Sequence, residues 1–262
     1  MNVQDYLRRI QYFRTPDVSL STLKDLHRQH LLTVPFENLD ISLGKPIELS
    51  FENMYRKIVS ENRGGFCYEL NGLFYWLLRE MGFSVKMLSG QGFIEGQPGP
   101  EFDHMLILVE LDKLYLADVG FGDSYLEPLP LDFQEHWQQG IGYRITKERD
   151  NLFFEEKRPE KDWNRQLLFS LQGHELDEFS ATCNYQQTEN PTFTETNKCS
   201  MATETGRVTF WNNALTIRSN DEKRKIAIES EEELRMLLLE YFSVDLPLEQ
   251  FPQALLHSIS SS

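Results

Sequence analysis

Three side chains in this sequence have the types that nucleophilic catalysis uses: a thiol at Cys67, an imidazole at His104 and a carboxylate at Asp118. A thiolate attacks, an imidazole takes its proton, and a carboxylate fixes the imidazole. Cys67 stands in "RGGFCYE", immediately ahead of apolar residues at Leu70, Leu73, Phe74, Leu77, Leu78 and Met81. That spacing predicts a helix buried along one stripe, closed by Gly82 as a left-handed C-cap. Three residues before Leu70, the thiol belongs to the first turn and to the stripe's own face. There, unpaired N–H groups and the positive end of the helix dipole favour a thiolate. Gly64 and Gly65 leave room for a backbone or a ligand to approach. The same pattern also suits a small buried residue at a helix start behind a glycine turn, so the segment alone leaves both roles open.

A nucleophilic cysteine needs a base. His27 and His30 are expected on a polar helix face, His136 and His174 in polar loop-like text, and His257 near the tail. His104 differs, because it opens "HMLILVE", a run apolar on both faces that reads as a buried strand. The next run, "KLYLADV", ends at Asp118. If the two runs form a hairpin around an odd-length loop centred on Leu111, His104 and Asp118 stand side by side, Cβ atoms roughly 5 Å apart. A two-residue turn at Asp112-Lys113 sends them to opposite faces unless a bulge intervenes. Both registers fit the sequence. A structural hydrogen bond to a buried histidine would explain the pair equally well.

The rest of the chain supplies the scaffold. It has 262 residues, 40% of them hydrophobic, enough for a packed globule. A formal net charge of −15 argues against a nucleic-acid partner, whose phosphates require clustered Lys and Arg. The start "MNVQDYLRRI" has no secretory h-region and no window could span a bilayer, so no membrane partner is expected and the cytoplasm is the expected compartment. The three cysteines, Cys67, Cys183 and Cys199, form no Cys-x-x-Cys pair, and no metal site is expected.

Residues 5 to 83 read as helices, with Ser19 or Ser21 capping "STLKDLHRQHLL" and Ser50 capping "SFENMYRKIVS". From about Val85 to Tyr185 short apolar runs such as "YRITKE" and "NLFFEE" read as strands. "RVTFWNNALTIRS" reads as a hairpin about Asn212-Asn213, followed by the strand "KIAIES". A capping box from Ser230 to Glu233 then opens "LRMLLLEYF", with Glu231 to Glu233 facing the helix dipole, and "SISSS" reads as a frayed end. The order predicts an α+β protein in three parts, with boundaries near 85 and 200.

"RGGFCYELNGLF", with "VPFENLDI" upstream and "YLADVGFG" downstream, resembles the arylamine N-acetyltransferases from about Tyr6 to Phe242. The resemblance implies a helical bundle over 1–84 carrying the nucleophile, a central antiparallel β-barrel over 85–200 carrying histidine and aspartate, and an α/β lid over 201–262, with a cysteine-protease-like core. It implies Cys67, His104 and Asp118 as a catalytic triad, and hence the register that keeps the last two on one face or a bulge that does so. It implies acetyl-CoA as co-substrate and small aromatic acceptors, namely arylamines, arylhydroxylamines or hydrazines. By motif position Phe36 and Phe121 would line the acceptor slot, whereas the residues that hold coenzyme A are not placed. Arg63 and Glu37 read as a structural ion pair fixing the glycine turn. Two departures stand out: Asp103 occupies a position where the family often has a small hydroxylic residue, and a long insertion found in some members between barrel and lid is missing. A cysteine hydrolase or transglutaminase-like enzyme would use the same triad, and an inert aromatic-binding module could keep the scaffold. Turnover of a peptide ester without coenzyme A would mark the first, and an unreactive Cys67 the second.

Overall fold

The computed structural model describes residues 1–220 and 222–246. His257, the "SISSS" end and the last part of the 201–262 unit lie outside the described residues. Helices fill the chain up to Glu80, and serines start two of them. Ser19 accepts the Thr22 N–H at 3.2 Å ahead of Leu20–Thr33, and Ser50 accepts the Asn53 N–H at 3.2 Å ahead of Phe51–Tyr55. The second of these widens into a π-helical turn over Arg56–Ser60, just before the glycine segment. Helix Cys67–Glu80 follows, and every stripe residue from Leu70 to Leu78 is buried. Gly82 ends it with φ +92°, a conformation that suits glycine.

Beyond Gly82 the chain builds a nine-stranded antiparallel sheet curled into a nearly closed barrel. Strand Ser84–Ile94 lies between His104–Glu110 and Asn164–Phe169, and Leu114–Ala117 flanks His104–Glu110 on its other side. Met105, Ile107 and Val109 face the nucleophile helix, whereas Leu106 and Leu108 face the barrel interior with Leu88, Leu116 and Phe154. Being covered on both faces is why "HMLILV" is continuously apolar.

A second, five-stranded sheet runs in the order Phe36–Glu37, Lys198–Thr203, Gly206–Trp211, Ala214–Ser219 and Glu222–Ala227. The Asn212-Asn213 turn is as expected, with Trp211 opposite Ala214 and Asn212 at φ +52°. Leu234, Leu238 and Phe242 of helix Glu231–Phe242 pack on Val208, Phe210 and Leu215 of this sheet. Ser230 caps the helix through the Glu233 N–H at 3.1 Å, but the Glu233 carboxylate returns to the Glu229 N–H, one residue earlier than a capping box requires.

The α+β class is as expected, with two local differences. Helix Ser180–Thr188 begins within the stretch to about Tyr185 that reads as strands; only Cys183 and Gln186 of it are buried, so its apolar signal is weak. Phe36–Glu37, from the helical part of the chain, forms the edge strand of the second sheet, and a two-residue strand carries no period to detect.

Candidate active site

The thiol is positioned by buried charges. Arg63 bonds Glu37 at 2.7 Å and Asp40 at 2.9 Å, and Lys57 bonds Asp40 at 2.8 Å and Glu69 at 2.9 Å. Glu69 then accepts the Phe66 N–H at 3.1 Å, capping the helix whose first residue is Cys67. Burial opposes charge on Lys57 and on Arg63, but the surrounding carboxylates outweigh it and raise both pKa values above their ordinary ranges. The ion pair expected between Arg63 and Glu37 is thus one link of a five-residue network. The glycines serve a backbone approach: a Cβ on Gly64 would lie 2.0 Å from the Pro35 carbonyl oxygen. Gly65 forms a parallel bridge to Phe36.

His104 and Asp118 come together by a third register. Ile107 pairs with Ala117 and Glu110 with Leu114, so the loop is Leu111-Asp112-Lys113, centred on Asp112. An odd-length loop keeps both residues on one face, as a diagonal rather than a directly opposed pair. His104 Nε2 lies 2.7 Å from Asp118 Oδ2, which leaves Nδ1 available to the Cys67 sulfur on the same cavity wall. All three residues are buried.

Asn71 ties the parts together. Its Nδ2 donates to the Met105 carbonyl at 2.7 Å and to Asp118 Oδ1 at 2.8 Å, while its Oδ1 accepts the Val119 N–H at 2.8 Å. Gly120 donates to Asp118 Oδ1 at 2.9 Å, and Tyr68 donates to the carbonyls of Phe102 at 2.8 Å and Asp103 at 3.1 Å. The helix bearing the thiol therefore grips the backbone on either side of His104 and immediately after Asp118.

The electrostatics differ from the sequence expectation in one respect. Burial pushes the Cys67 thiol above the ordinary cysteine range, against the hydrogen bond and charge of His104, which pull it down. The helix terminus alone does not ionise the sulfur. Burial also disfavours a charged His104, yet Asp118 and the Cys67 sulfur outweigh it and hold the imidazole well above the ordinary histidine range. When the sulfur gives up its proton, His104 is the group built to keep it.

Cys67, His104, Phe36 and Phe121 share the wall of one cavity of about 350 Å³. The Phe121 ring meets the His104 ring edge to face, centroids 5.4 Å apart. A family model described as N-acetyltransferase matches residues 19–251. The pineal gland isozyme NAT-3 of arylamine N-acetyltransferase from Gallus gallus is 31% identical over 94% of this chain and 95% of its own. The chain belongs to the arylamine N-acetyltransferases.

Solved structures of arylamine N-acetyltransferases agree. The Mycobacterium marinum arylamine N-acetyltransferase in complex with CoA is 25% identical, with a TM-score of 0.89, over 97% of this chain and 98% of its own. The Bacillus cereus arylamine N-acetyltransferase is 27% identical, with a TM-score of 0.86, over 94% of this chain and 100% of its own. That enzyme is described as having a unique Cys-His-Glu catalytic triad, whereas the corresponding carboxylate partner of His104 here is Asp118. Asp103, the family departure, turns its Oδ1 to Gln186 Nε2 at 2.5 Å and its Oδ2 to the Gly92 N–H at 3.3 Å. Among the described residues no group of His, Cys, Asp and Glu could hold a metal ion, and no helix is long and apolar enough to cross a membrane.

The sequence reading missed three residues of this arylamine N-acetyltransferase site. Asn71 sits four residues after Cys67, a polar residue on the buried face of the helix, and that was its signal. His27, expected on a polar face, is fully buried, as is His30. Its Nε2 accepts the Asp118 N–H at 3.1 Å and its Nδ1 donates to the Leu126 carbonyl at 2.8 Å. The third is Lys198, on the cavity wall. His136 and His174 stay away from the site, bonding Asp132 at 2.9 Å and Glu178 at 3.0 Å.

Proposed function

We propose that this protein transfers an acetyl group from acetyl-CoA to arylamines, arylhydroxylamines or hydrazines by way of a thioester on Cys67. The observation that carries the reading is the hydrogen bond between Asp118 and His104, set with Cys67 in the wall of one aromatic-lined cavity. Asp118 holds the imidazole with Nδ1 toward the sulfur and stabilises its cation. His104 takes the thiol proton, and the Cys67 thiolate attacks the thioester carbonyl of acetyl-CoA. As the tetrahedral intermediate collapses, the carbon–sulfur bond to coenzyme A breaks and the departing thiolate receives that proton. The amine then adds to the acetyl-Cys67 carbonyl, gives its proton to His104, and releases the sulfur. First-turn N–H groups of helix Cys67–Glu80 are candidate oxyanion donors, a type of contact often worth about 3 kcal/mol each. Exchange of one thioester for another is nearly thermoneutral, and passage of both substrates through one site predicts ping-pong kinetics.

Phe36 and Phe121 form the acceptor slot in this reading. The chain divides into 1–84 with the nucleophile, 85–200 with His104 and Asp118, and 201–262 as a lid. The compartment we propose is the cytoplasm, where three unpaired cysteines stay reduced.

Intact mass after brief incubation with acetyl-CoA, with and without Cys67→Ala, tests the mechanism. One acetyl group on the wild type alone, lost on adding an aniline, is the expected result. An unmodified wild type would refute it, and hydrolysis of a peptide ester without coenzyme A would favour a hydrolase.

A further inference from the structure

One face of the five-stranded sheet carries a row of cations. Arg207 of strand Gly206–Trp211 stands directly opposite Arg218 of Ala214–Ser219, and Arg218 stands directly opposite Lys223 of Glu222–Ala227. Directly opposed residues share a face, and like charges so placed repel. Arg158, one residue beyond strand Asn151–Lys157 of the barrel, joins them, since it bonds the same Asp123 carboxylate oxygen as Arg218. A chain with 41 acidic residues against 26 Lys and Arg gathers these cations against its own composition.

Few carboxylates balance them. Asp123 Oδ1 takes Arg207 Nε at 2.9 Å, and its Oδ2 takes both Arg218 at 2.5 Å and Arg158 at 3.3 Å. Glu156 bonds Arg158 at 2.6 Å, whereas Glu204 turns to Arg28 of helix Leu20–Thr33. Three guanidiniums therefore share two carboxylates, with Lys223 next in the row. Arg207 is 5% exposed, and burial outweighs Asp123 in holding its guanidinium below the ordinary arginine range. Arg158, Arg207 and Arg218 line one cavity of about 510 Å³, and among the described residues its wall shares none with the cavity that holds Cys67. Ile141, Tyr143 and Pro159 give the same wall an apolar part. Planar guanidiniums pair with phosphate oxygens two at a time, which an ammonium cannot do.

We propose that this cavity is a second ligand site, separate from the catalytic one, and that it binds a dianionic phosphate group. Arg158 and Arg218, whose side chains are 29% and 35% exposed, bond the phosphate oxygens, and Arg207 adds charge from its buried position. Asp123 competes with the phosphate for the same donors, so its charge sets the affinity. The volume exceeds what a phosphate alone fills, and the apolar part of the wall receives an organic body where the phosphate is an ester.

Calorimetry of inorganic phosphate, adenosine 5′-monophosphate and adenosine tests the site, at matched ionic strength, at about pH 8 where the phosphates are dianions, and without acyl donor. The proteins compared are the wild type, Arg158→Met, Arg218→Met, Asp123→Asn and Arg14→Met, the last replacing an exposed arginine elsewhere as the control for net charge. Phosphate or the nucleotide is expected to bind the wild type and adenosine is not. Affinity should fall by about tenfold or more in Arg158→Met and in Arg218→Met, stay unchanged in Arg14→Met, and rise in Asp123→Asn. Arg218→Met leaves Asp123 paired with Arg207 and Arg158, so it keeps the test decisive even where Asp123→Asn does not fold. Tighter binding of the nucleotide than of phosphate identifies the ligand as an organic phosphate, and equal affinity identifies it as free phosphate. Absence of binding by either, or a loss as large in Arg14→Met as in Arg218→Met, would overturn the proposal. So would displacement of phosphate from the wild type by saturating coenzyme A, because the arginines would then belong to the acyl donor's site.

Discussion

The Nε2 of His27 accepts the backbone N–H of Asp118 at 3.1 Å, from a ring that is itself wholly buried. A helix in the first part of the chain thus fixes the residue that orients His104. Its other nitrogen donates to the Leu126 carbonyl at 2.8 Å, so the ring serves as one donor and one acceptor only while neutral. Burial accordingly lowers its pKa to about 4.

That depression fixes the sign of a pH effect on stability. Below the unfolded value of about 6.5 the unfolded chain takes up a proton that folded His27 refuses, until the pH reaches about 4. Stability is therefore lost as the pH falls through that window, by about 3 kcal/mol at its acid end. Urea unfolding followed by Trp fluorescence should show the wild type losing about that much more than His27→Gln between neutral pH and pH 4. Parallel curves would mean that another group governs the acid limb.

His104→Gln removes the partner that pulls the Cys67 thiol down, leaving burial unopposed. Alkylation by iodoacetamide at neutral pH should slow by about 100-fold or more, and its rise with pH should move to higher pH. Mass spectrometry of the Cys67 peptide over time measures both. An unchanged rate would show that the sulfur ionises without the imidazole.

Gly120→Ala probes close packing at the nucleophile. A Cβ there would lie 2.7 Å from Cys67 Cα and 2.8 Å from Asn71 Nδ2. Backbone has to shift, so the expected cost is about 1–3 kcal/mol together with a reduced rate of Cys67 acetylation. Thermal unfolding and a stopped acetylation assay report the two effects separately.

Lys57→Met leaves Glu69 and Asp40 buried with less compensation. Removing one partner of a buried charge network costs about 3–5 kcal/mol, and here the loss also loosens the cap on Phe66. Denaturant unfolding should show that loss. Double replacement of Lys57 and Glu69 by apolar residues should recover part of the stability and none of the helix cap.

The apolar stripe from Leu70 to Leu78, the two-sided run at "HMLILV" and the Asn212-Asn213 turn were legible because each is a local pattern with a fixed period or a fixed backbone requirement. The serine caps were legible for the same reason. His27 and His30 were misread because their neighbours Lys24, Arg28 and Gln29 gave the segment a polar look, while burial depended on residues as distant as Leu126. Helix Ser180–Thr188 escaped because little of it is buried.

The sequence by itself determined the identities of thiol, imidazole and carboxylate, the helix that begins at Cys67, and, through its motifs, the family. Those depend on residue types and short-range spacing, which the chain carries explicitly. Only the tertiary structure decided the loop register that keeps His104 and Asp118 on one face, the bonds that Asn71 makes to Asp118 and to the Met105 carbonyl, and the pairing that sets Lys198 beside Trp211 and Phe36. Each of these joins residues far apart in the chain or turns on a one-residue choice of loop. Desolvation then set the charges: it raised Cys67 and lowered His27 and Lys198, because the cost of burying a charge depends on what surrounds it in space.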